Sequence, residues 1–205
     1  LMKGKDVHEA LEQSGYRVAR IEVSRDLAKL LADLNAARPD VVFNNLYGQG
    51  GEDGVIQGVL ETLQLPYTHS GVLASAIGMD KPTCKRLAES VGVRVPRGDV
   101  YDVDDILAAD VMPRPYVVKP YNEGSSVGVR IVRENDNLPP IIKSDWNFSP
   151  KALVEEYIAG KELTVAVLDG KAQGVTEIRS ATGFFDYEAK YRDERTELIL
   201  PAPIA

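Results

Sequence analysis

Hydrophobic positions in the first third of the chain switch between helical and extended spacing. Four leucines between Leu27 and Leu34 recur at intervals of three and four residues, which predicts a helix with Ser24 as a possible N-cap. Strands and helices that alternate with short loops indicate a parallel sheet covered by helices. The same reasoning predicts the other elements of this part, namely helices at 7–11 and 55–63 and strands at 16–23, 40–44 and 65–69.

The pattern changes near residue 95, after a predicted helix at 81–92 that has Pro82 in its first turn and Gly92 at its end. From there on, runs of β-forming residues dominate, and Asp169-Gly170 between two of them predicts a two-residue hairpin. We therefore expect an α/β domain over 1–75 and an α+β domain with an antiparallel sheet over 76–205. The predicted strands of the second domain are 94–101, 115–119, 127–132, 152–157, 162–168 and 172–178.

Composition narrows the class of protein. The chain has 205 residues, 44% hydrophobic and 27% charged, with a net charge of −7, which is typical of a globular protein. No apolar run approaches the ~20 residues of a membrane helix, and no basic cluster indicates a nucleic-acid partner. Cys84 is the single cysteine, so an internal disulfide is excluded and a reducing compartment, the cytoplasm, is favoured.

Two glycine-containing loops are candidate anion sites. The segment from Gly48 to Gly54 lies between a strand and a helix, where free N–H groups favour an anion, but Glu52 and Asp53 could instead cap the helix. In the second segment, Lys119 at a strand end precedes Gly124, Ser125 and Ser126. A lysine and a loop of N–H and hydroxyl donors can hold phosphate oxygens. An ordinary hairpin loop is the alternative for this second segment.

Two further segments combine acidic and aromatic residues. The run Glu155 to Ile158, with Tyr157 and the later Glu162, could read an adenine edge and hold ribose hydroxyls, or could form a solvated edge strand. The run 184–191 mixes aromatic and charged residues, as functional loops often do. There Lys190 could neutralise a transferring phosphoryl group and Tyr191 could bind substrate; a loop pinned by its aromatics is the alternative.

Taken together, these segments resemble the D-alanine–D-alanine ligases, which are ATP-grasp enzymes. The resemblance rests on the order of four motifs: GEDG at 51–54, MDK at 79–81, the Lys-Pro to Gly-Ser-Ser-Val-Gly run at 119–128, and DYEAKY at 186–191. It implies an N-terminal three-layer parallel-sheet domain followed by the smaller α+β ATP-grasp domain. It also implies that the chain is incomplete at both ends, with the first strand and the C-terminal ATP-grasp domain lying outside it.

The resemblance implies a reaction and a role for each matching residue. ATP phosphorylates one D-alanine carboxylate, and the amine of a second D-alanine attacks the acyl phosphate, which yields a dipeptide for peptidoglycan synthesis. Catalytic roles fall on Ser125, Lys190 and Tyr191. ATP binding falls on Lys81, Lys119, Gly124, Ser126, Glu155, Tyr157, Ile158 and Glu162. Glu52 supports the substrate pocket, and Tyr47 stands where the family usually has a histidine beside the substrate.

The resemblance further implies magnesium or manganese as cofactor, held by ligands outside this chain, and a cytoplasmic homodimer. Two alternatives stay open at this point. One is another ATP-grasp ligase that joins a different carboxylate and amine. The other is a nucleotide-binding fragment without turnover.

Overall fold

Helices form in the first part of the chain wherever leucine, isoleucine and valine recur at helical spacing. A computed structural model describes residues 2–137, 139–180 and 195–204. It divides into two units, Leu1–Ala76 and Ile77–Ala205, and is of the mixed α/β class. None of the helices in these described ranges is long and apolar enough to cross a membrane.

The first unit has a small core made by two helices. Leu30 and Leu34 from one helix pack with Ile56 and Leu60 from another. Asp26, and not Ser24 as predicted, caps the leucine-rich helix, because its carboxylate accepts the N–H of Lys29 at 3.0 Å. The helices that begin in this unit are α1 (Met2–Gln13), α2 (Leu27–Ala37), α3 (Val55–Thr62) and α4 (Val72–Met79).

The prediction of a parallel sheet in this unit is wrong about the extent of the sheet. Among the described residues it is reduced to one parallel bridge, between Val42 and Tyr67. The predicted strand at 16–23 is not a strand in the structure. A strand requires a neighbouring backbone that accepts its ladder hydrogen bonds, and the described residues give this apolar segment no such neighbour.

The second unit is built on an antiparallel sheet, as predicted. Its strand order is β1 (Gly98–Asp102), β4 (Lys151–Glu156), β2 (Tyr116–Lys119) and β3 (Arg130–Val132), so β4 lies between two neighbours. The predicted strand at 94–101 begins only at Gly98, and a short helix that the spacing did not reveal follows it directly. The elements are α5 (Lys81–Ser90), β1 (Gly98–Asp102), α6 (Val103–Ala108), β2 (Tyr116–Lys119), β3 (Arg130–Val132) and β4 (Lys151–Glu156).

The two faces of this sheet differ in chemistry because side chains alternate along each strand. Tyr116 and Val118 of β2 lie on the same face as Ala152 and Val154 of β4, and all four belong to a core that α6 covers with Ile106. The intervening residues therefore point to the opposite face. The residues on that opposite face include Lys119, Leu153 and Glu155.

A second antiparallel sheet follows, in the order β5 (Glu162–Leu168), β6 (Lys171–Arg179) and β7 (Glu197–Ile199). Asp169 and Gly170 connect its first two strands with φ of 50° and 69°, which confirms the predicted hairpin and matches a type I′ turn. The third strand was not predicted, because three residues carry too little periodicity. The strands are β5 (Glu162–Leu168), β6 (Lys171–Arg179) and β7 (Glu197–Ile199).

Candidate functional site

The start of α5 is fixed to the loop that follows β2. Asp80 caps the helix by accepting the N–H of Thr83 at 2.9 Å, and Pro82 occupies the first turn. The backbone N–H of Lys81 donates to the carbonyl of Tyr121 at 3.0 Å, and its ammonium donates to the carbonyl of Glu123. Lys81 and the loop at 121–129, called here the serine loop, are therefore parts of one structure.

A buried carboxylate joins the helix to the sheet. Glu155 lies in the central strand β4 and is only 3% exposed. Its two carboxylate oxygens contact different lysines: Lys119 at the end of β2, and Lys85 of α5 at 2.5 Å. An unpaired charge at this depth would be strongly unfavourable, and the two lysines supply the opposite charge that compensates the carboxylate.

Positive charge is concentrated at this point. Burial lowers the pKa of Lys81, and the neighbouring charge of Lys119 lowers it further, although Glu123, Glu155 and Asp80 oppose the shift. A lowered lysine pKa means that the ammonium is poorly compensated in the fold. An anion placed beside Lys81 and Lys119 would supply the missing compensation.

The serine loop has a strained backbone. Ser125 and Ser126 both adopt positive φ, 57° and 59°, in the left-handed region that side chains disfavour. Gly128, at φ 71°, packs so closely against Phe148 that a Cβ would lie 2.6 Å from the ring. Strain of this kind is concentrated at ligand sites and persists where the surroundings enforce it.

The residues predicted to bind adenine and ribose follow on from β4. The N–H of Tyr157 is bound to the carbonyl of Pro115 at 3.1 Å, and Ile158 is exposed. Glu162 opens β5 and is half-buried. The carboxylate of Glu155 is bound by Lys85 and Lys119. The nucleotide contacts predicted for this segment stay predictions.

The glycine-rich segment of the first unit is arranged differently. The carboxylate of Glu52 accepts the N–H of Gly48 at 2.6 Å, and that of Asp53 accepts the N–H of Gly50 at 2.8 Å. Its donors are thus engaged by its own acidic side chains, as in a structural turn. Tyr47 is exposed, with its hydroxyl 3.4 Å from Asn45 Oδ1. The substrate roles predicted for Tyr47 and Glu52 stay predictions.

Two predicted catalytic residues, Lys190 and Tyr191, lie outside the described residues. Within the described ranges, no group of three or more His, Cys, Asp or Glu side chains could hold a metal ion. We therefore assign no metal ligand in this part of the chain and no chemical step to a metal.

Lys85 was not predicted from the sequence. It lies one helical turn after Lys81, at the i+4 spacing that places two side chains on the same face of a helix. That spacing was the available signal. The spacing was not decisive, because Glu155, the ion-pair partner of Lys85, is 70 residues away along the chain.

Known proteins similar to this chain belong to one family. A family model described as "D-ala D-ala ligase C-terminus" matches residues 99–205. The D-alanine–D-alanine ligase of Rhodospirillum rubrum is 50% identical over the whole chain, which spans 68% of that protein. The ligase of Caulobacter vibrioides is 51% identical, and the chain spans 64% of it.

Solved structures give the same result. The D-alanine–D-alanine ligase of Bacillus anthracis matches the whole chain with a TM-score of 0.78 at 33% identity, and the chain covers 67% of it. Its ATP complex matches with a TM-score of 0.75 at 27% identity, and the chain covers 65% of it. The D-Ala:D-Ser ligase VanG of Enterococcus faecalis matches 81% of the chain at a TM-score of 0.64 and 32% identity, and 51% of VanG is covered.

The fold and these matches define an ATP-dependent ligase of the ATP-grasp class. Within that class, the chain belongs to the D-alanine–D-alanine ligase family. This confirms the family that the motifs predicted. The chain spans about two thirds of the length of the curated relatives it matches.

Proposed function

We propose that this chain carries the nucleotide-binding part of a D-alanine–D-alanine ligase, which joins two D-alanines through a D-alanyl phosphate for peptidoglycan synthesis. The observation that supports this most directly is the pair of lysines, Lys81 and Lys119, on either side of the serine loop. The ATP complex of a relative with the same fold agrees with it. Lys81 and Lys119 would hold the phosphates of ATP, and Gly124, Ser125 and Ser126 would close over them.

The chemistry requires positive charge at this position. A carboxylate oxygen is a poor leaving group, and its phosphorylation by ATP makes the acyl carbon reactive towards an amine. Negative charge spreads over the transferring phosphoryl group, and ammonium groups fixed in advance stabilise it. The proposed catalytic set is Ser125, Lys190 and Tyr191, and the proposed nucleoside contacts are Glu155, Tyr157, Ile158 and Glu162.

The proposal extends to the wider arrangement. Residues 1–75 would be the substrate domain of three-layer α/β type, with Tyr47 and Glu52 near D-alanine. Residues 76–205 would be the central ATP-grasp domain and the start of the C-terminal part. Magnesium, or manganese in its place, would accompany the triphosphate as its counter-ion. A homodimer is proposed from the resemblance, and a cytoplasmic location from the resemblance and from the single cysteine.

Phosphate release from ATP tests this function. The polypeptide that carries this sequence is assayed with magnesium and either D-alanine or L-alanine, with Lys119→Met as the inactive control. We expect release that depends on D-alanine and is lost in the control. Release with L-alanine alone, or equally with both isomers, would favour another ATP-grasp ligase. ATP binding without release would favour a nucleotide-binding module.

A further inference from the structure

Lys85 is a half-buried lysine whose ammonium contacts other groups of the protein. Its side chain is 17% exposed, and its ammonium donates to Glu155 at 2.5 Å and to the carbonyl of Pro96 at 2.7 Å. Burial of an ammonium is unfavourable unless hydrogen bonds and an opposite charge compensate it. These contacts supply both, so Lys85 is held in one place.

Glu155 is shared between Lys85 and Lys119, and this sharing affects how much positive charge Lys119 can offer to a ligand. A carboxylate with a single lysine partner would neutralise that lysine locally. With two partners on different oxygens, Glu155 neutralises neither lysine completely. The two lysines have similar side-chain exposure, 17% for Lys85 and 24% for Lys119, but Lys119 is the one whose charge acts on Lys81, so it is the partner placed for a ligand beside Lys81.

We propose that Lys85 is a positioning residue for nucleotide binding. It holds the carboxylate of Glu155 from behind, and through that carboxylate it directs the ammonium of Lys119 towards the triphosphate. It also supplies the second positive charge that keeps Lys119 from being fully neutralised. This role of Lys85 rests on the proposed function, because it requires that Lys119 binds phosphate.

Nucleotide titration distinguishes positioning from general structural support. ATP and adenosine are titrated separately into the chain and into Lys85→Met by calorimetry. We expect the Kd for ATP to rise about tenfold, as when groups that orient a binding residue from behind are removed. The Kd for adenosine should rise much less, because Glu155 is only one of four proposed nucleoside contacts. Arg86→Met is the matched control, since it removes an exposed positive charge from the same helix and should leave both affinities unchanged.

A double-mutant cycle tests whether Lys85 acts through Glu155. In a Glu155→Gln background the carboxylate is absent, so Lys85→Met should change the Kd for ATP less than twofold. An equal loss in both backgrounds would overturn the proposal, because Lys85 would then act on ATP directly. Equal loss for ATP and adenosine would overturn it as well, because the role would be structural.

Two features keep the test decisive. If Lys85→Met does not fold, Lys85→Arg and Lys85→Gln are compared in its place. Lys85→Arg retains the charge and should keep the ATP affinity within threefold of the unaltered chain. An unchanged ATP affinity in Lys85→Gln would contradict the proposal. If Glu155→Gln itself abolishes ATP binding, the Arg and Gln variants are likewise compared. Failure of the unaltered chain to bind ATP would overturn the proposed function, whereas normal ATP binding by Lys85→Met overturns only the role of Lys85.

Discussion

The glycine-rich segment 48–54 in the first unit and the serine loop 121–129 in the other unit are similar as sequences but differ as structures. In the glycine-rich segment, Glu52 and Asp53 accept N–H groups of their own segment. Lysines flank the serine loop instead, and the buried Glu155 is shared between two of them. The glycine-rich segment therefore satisfies its own donors, and the serine loop leaves positive charge for a ligand.

This difference shows what makes a glycine-containing loop an anion site. Flexible backbone alone is not sufficient, because nearby carboxylates can engage the N–H groups that an anion would need. The surrounding charge decides which outcome prevails. Three variants test whether the two loops differ in this way.

Removal of Lys119 should have the largest effect. Lys119→Met deletes an ammonium from the phosphate site while Glu155 keeps its ion pair with Lys85. A hydrogen bond to a charged group contributes about 1.5–3 kcal/mol, so we expect the Kd for ATP to rise roughly 10- to 100-fold. Lys151→Met, which removes an exposed lysine from β4, is the control. Calorimetric titration measures both variants. A similar loss of ATP affinity in Lys119→Met and Lys151→Met would show that Lys119 has no specific role in phosphate binding.

Removal of Asp53 should affect stability and not nucleotide binding. Its carboxylate accepts the N–H of Gly50 at 2.8 Å and of Val55 at 3.2 Å, so Asp53→Ala should lower the free energy of unfolding by about 1 kcal/mol. Urea denaturation measures this change. Asp53→Asn keeps an acceptor oxygen and should lose less. A tenfold weaker ATP affinity in Asp53→Ala would show that this segment also takes part in nucleotide binding.

The smallest effect is a pH dependence. Because burial and Lys119 lower the pKa of Lys81, its ammonium loses its proton at a lower pH than an ordinary lysine, whose pKa is about 10.4. ATP favours the charged form, so its affinity should fall as pH rises through this lowered pKa. Lys81→Arg stays protonated, and its profile should be flatter. Coincident profiles would show that Lys81 does not contact the triphosphate.

Local features of the fold were predictable from the sequence. The Asp169-Gly170 hairpin and the leucine-rich α2 depend on neighbours within a few residues, and both form as predicted. The segment 16–23 shows the limit of this reasoning. Its composition favours a strand, but a strand depends on a distant backbone, which hydrophobic spacing does not reveal.

In the candidate site, too, some residues could be named from the sequence, whereas contacts between distant residues could not. Lys81, Lys119 and the serine loop could be named as candidates because their residue types and order are distinctive. Lys85 was missed, and Glu155 was expected at the nucleoside and not as the shared partner of two lysines. The ion pair between Lys85 and Glu155 could not be predicted for one reason: it joins residues 70 positions apart, and only the packing of α5 against the sheet brings them together.

A crystal structure of this chain with a non-hydrolysable ATP analogue tests the central claim most directly. The account predicts that phosphate oxygens lie within hydrogen-bond distance of Nζ of Lys81 and Nζ of Lys119, beneath the serine loop, with Glu155 still bound to Lys85. A triphosphate bound at the N–H groups of residues 48–54, or one that contacts neither lysine, would contradict it.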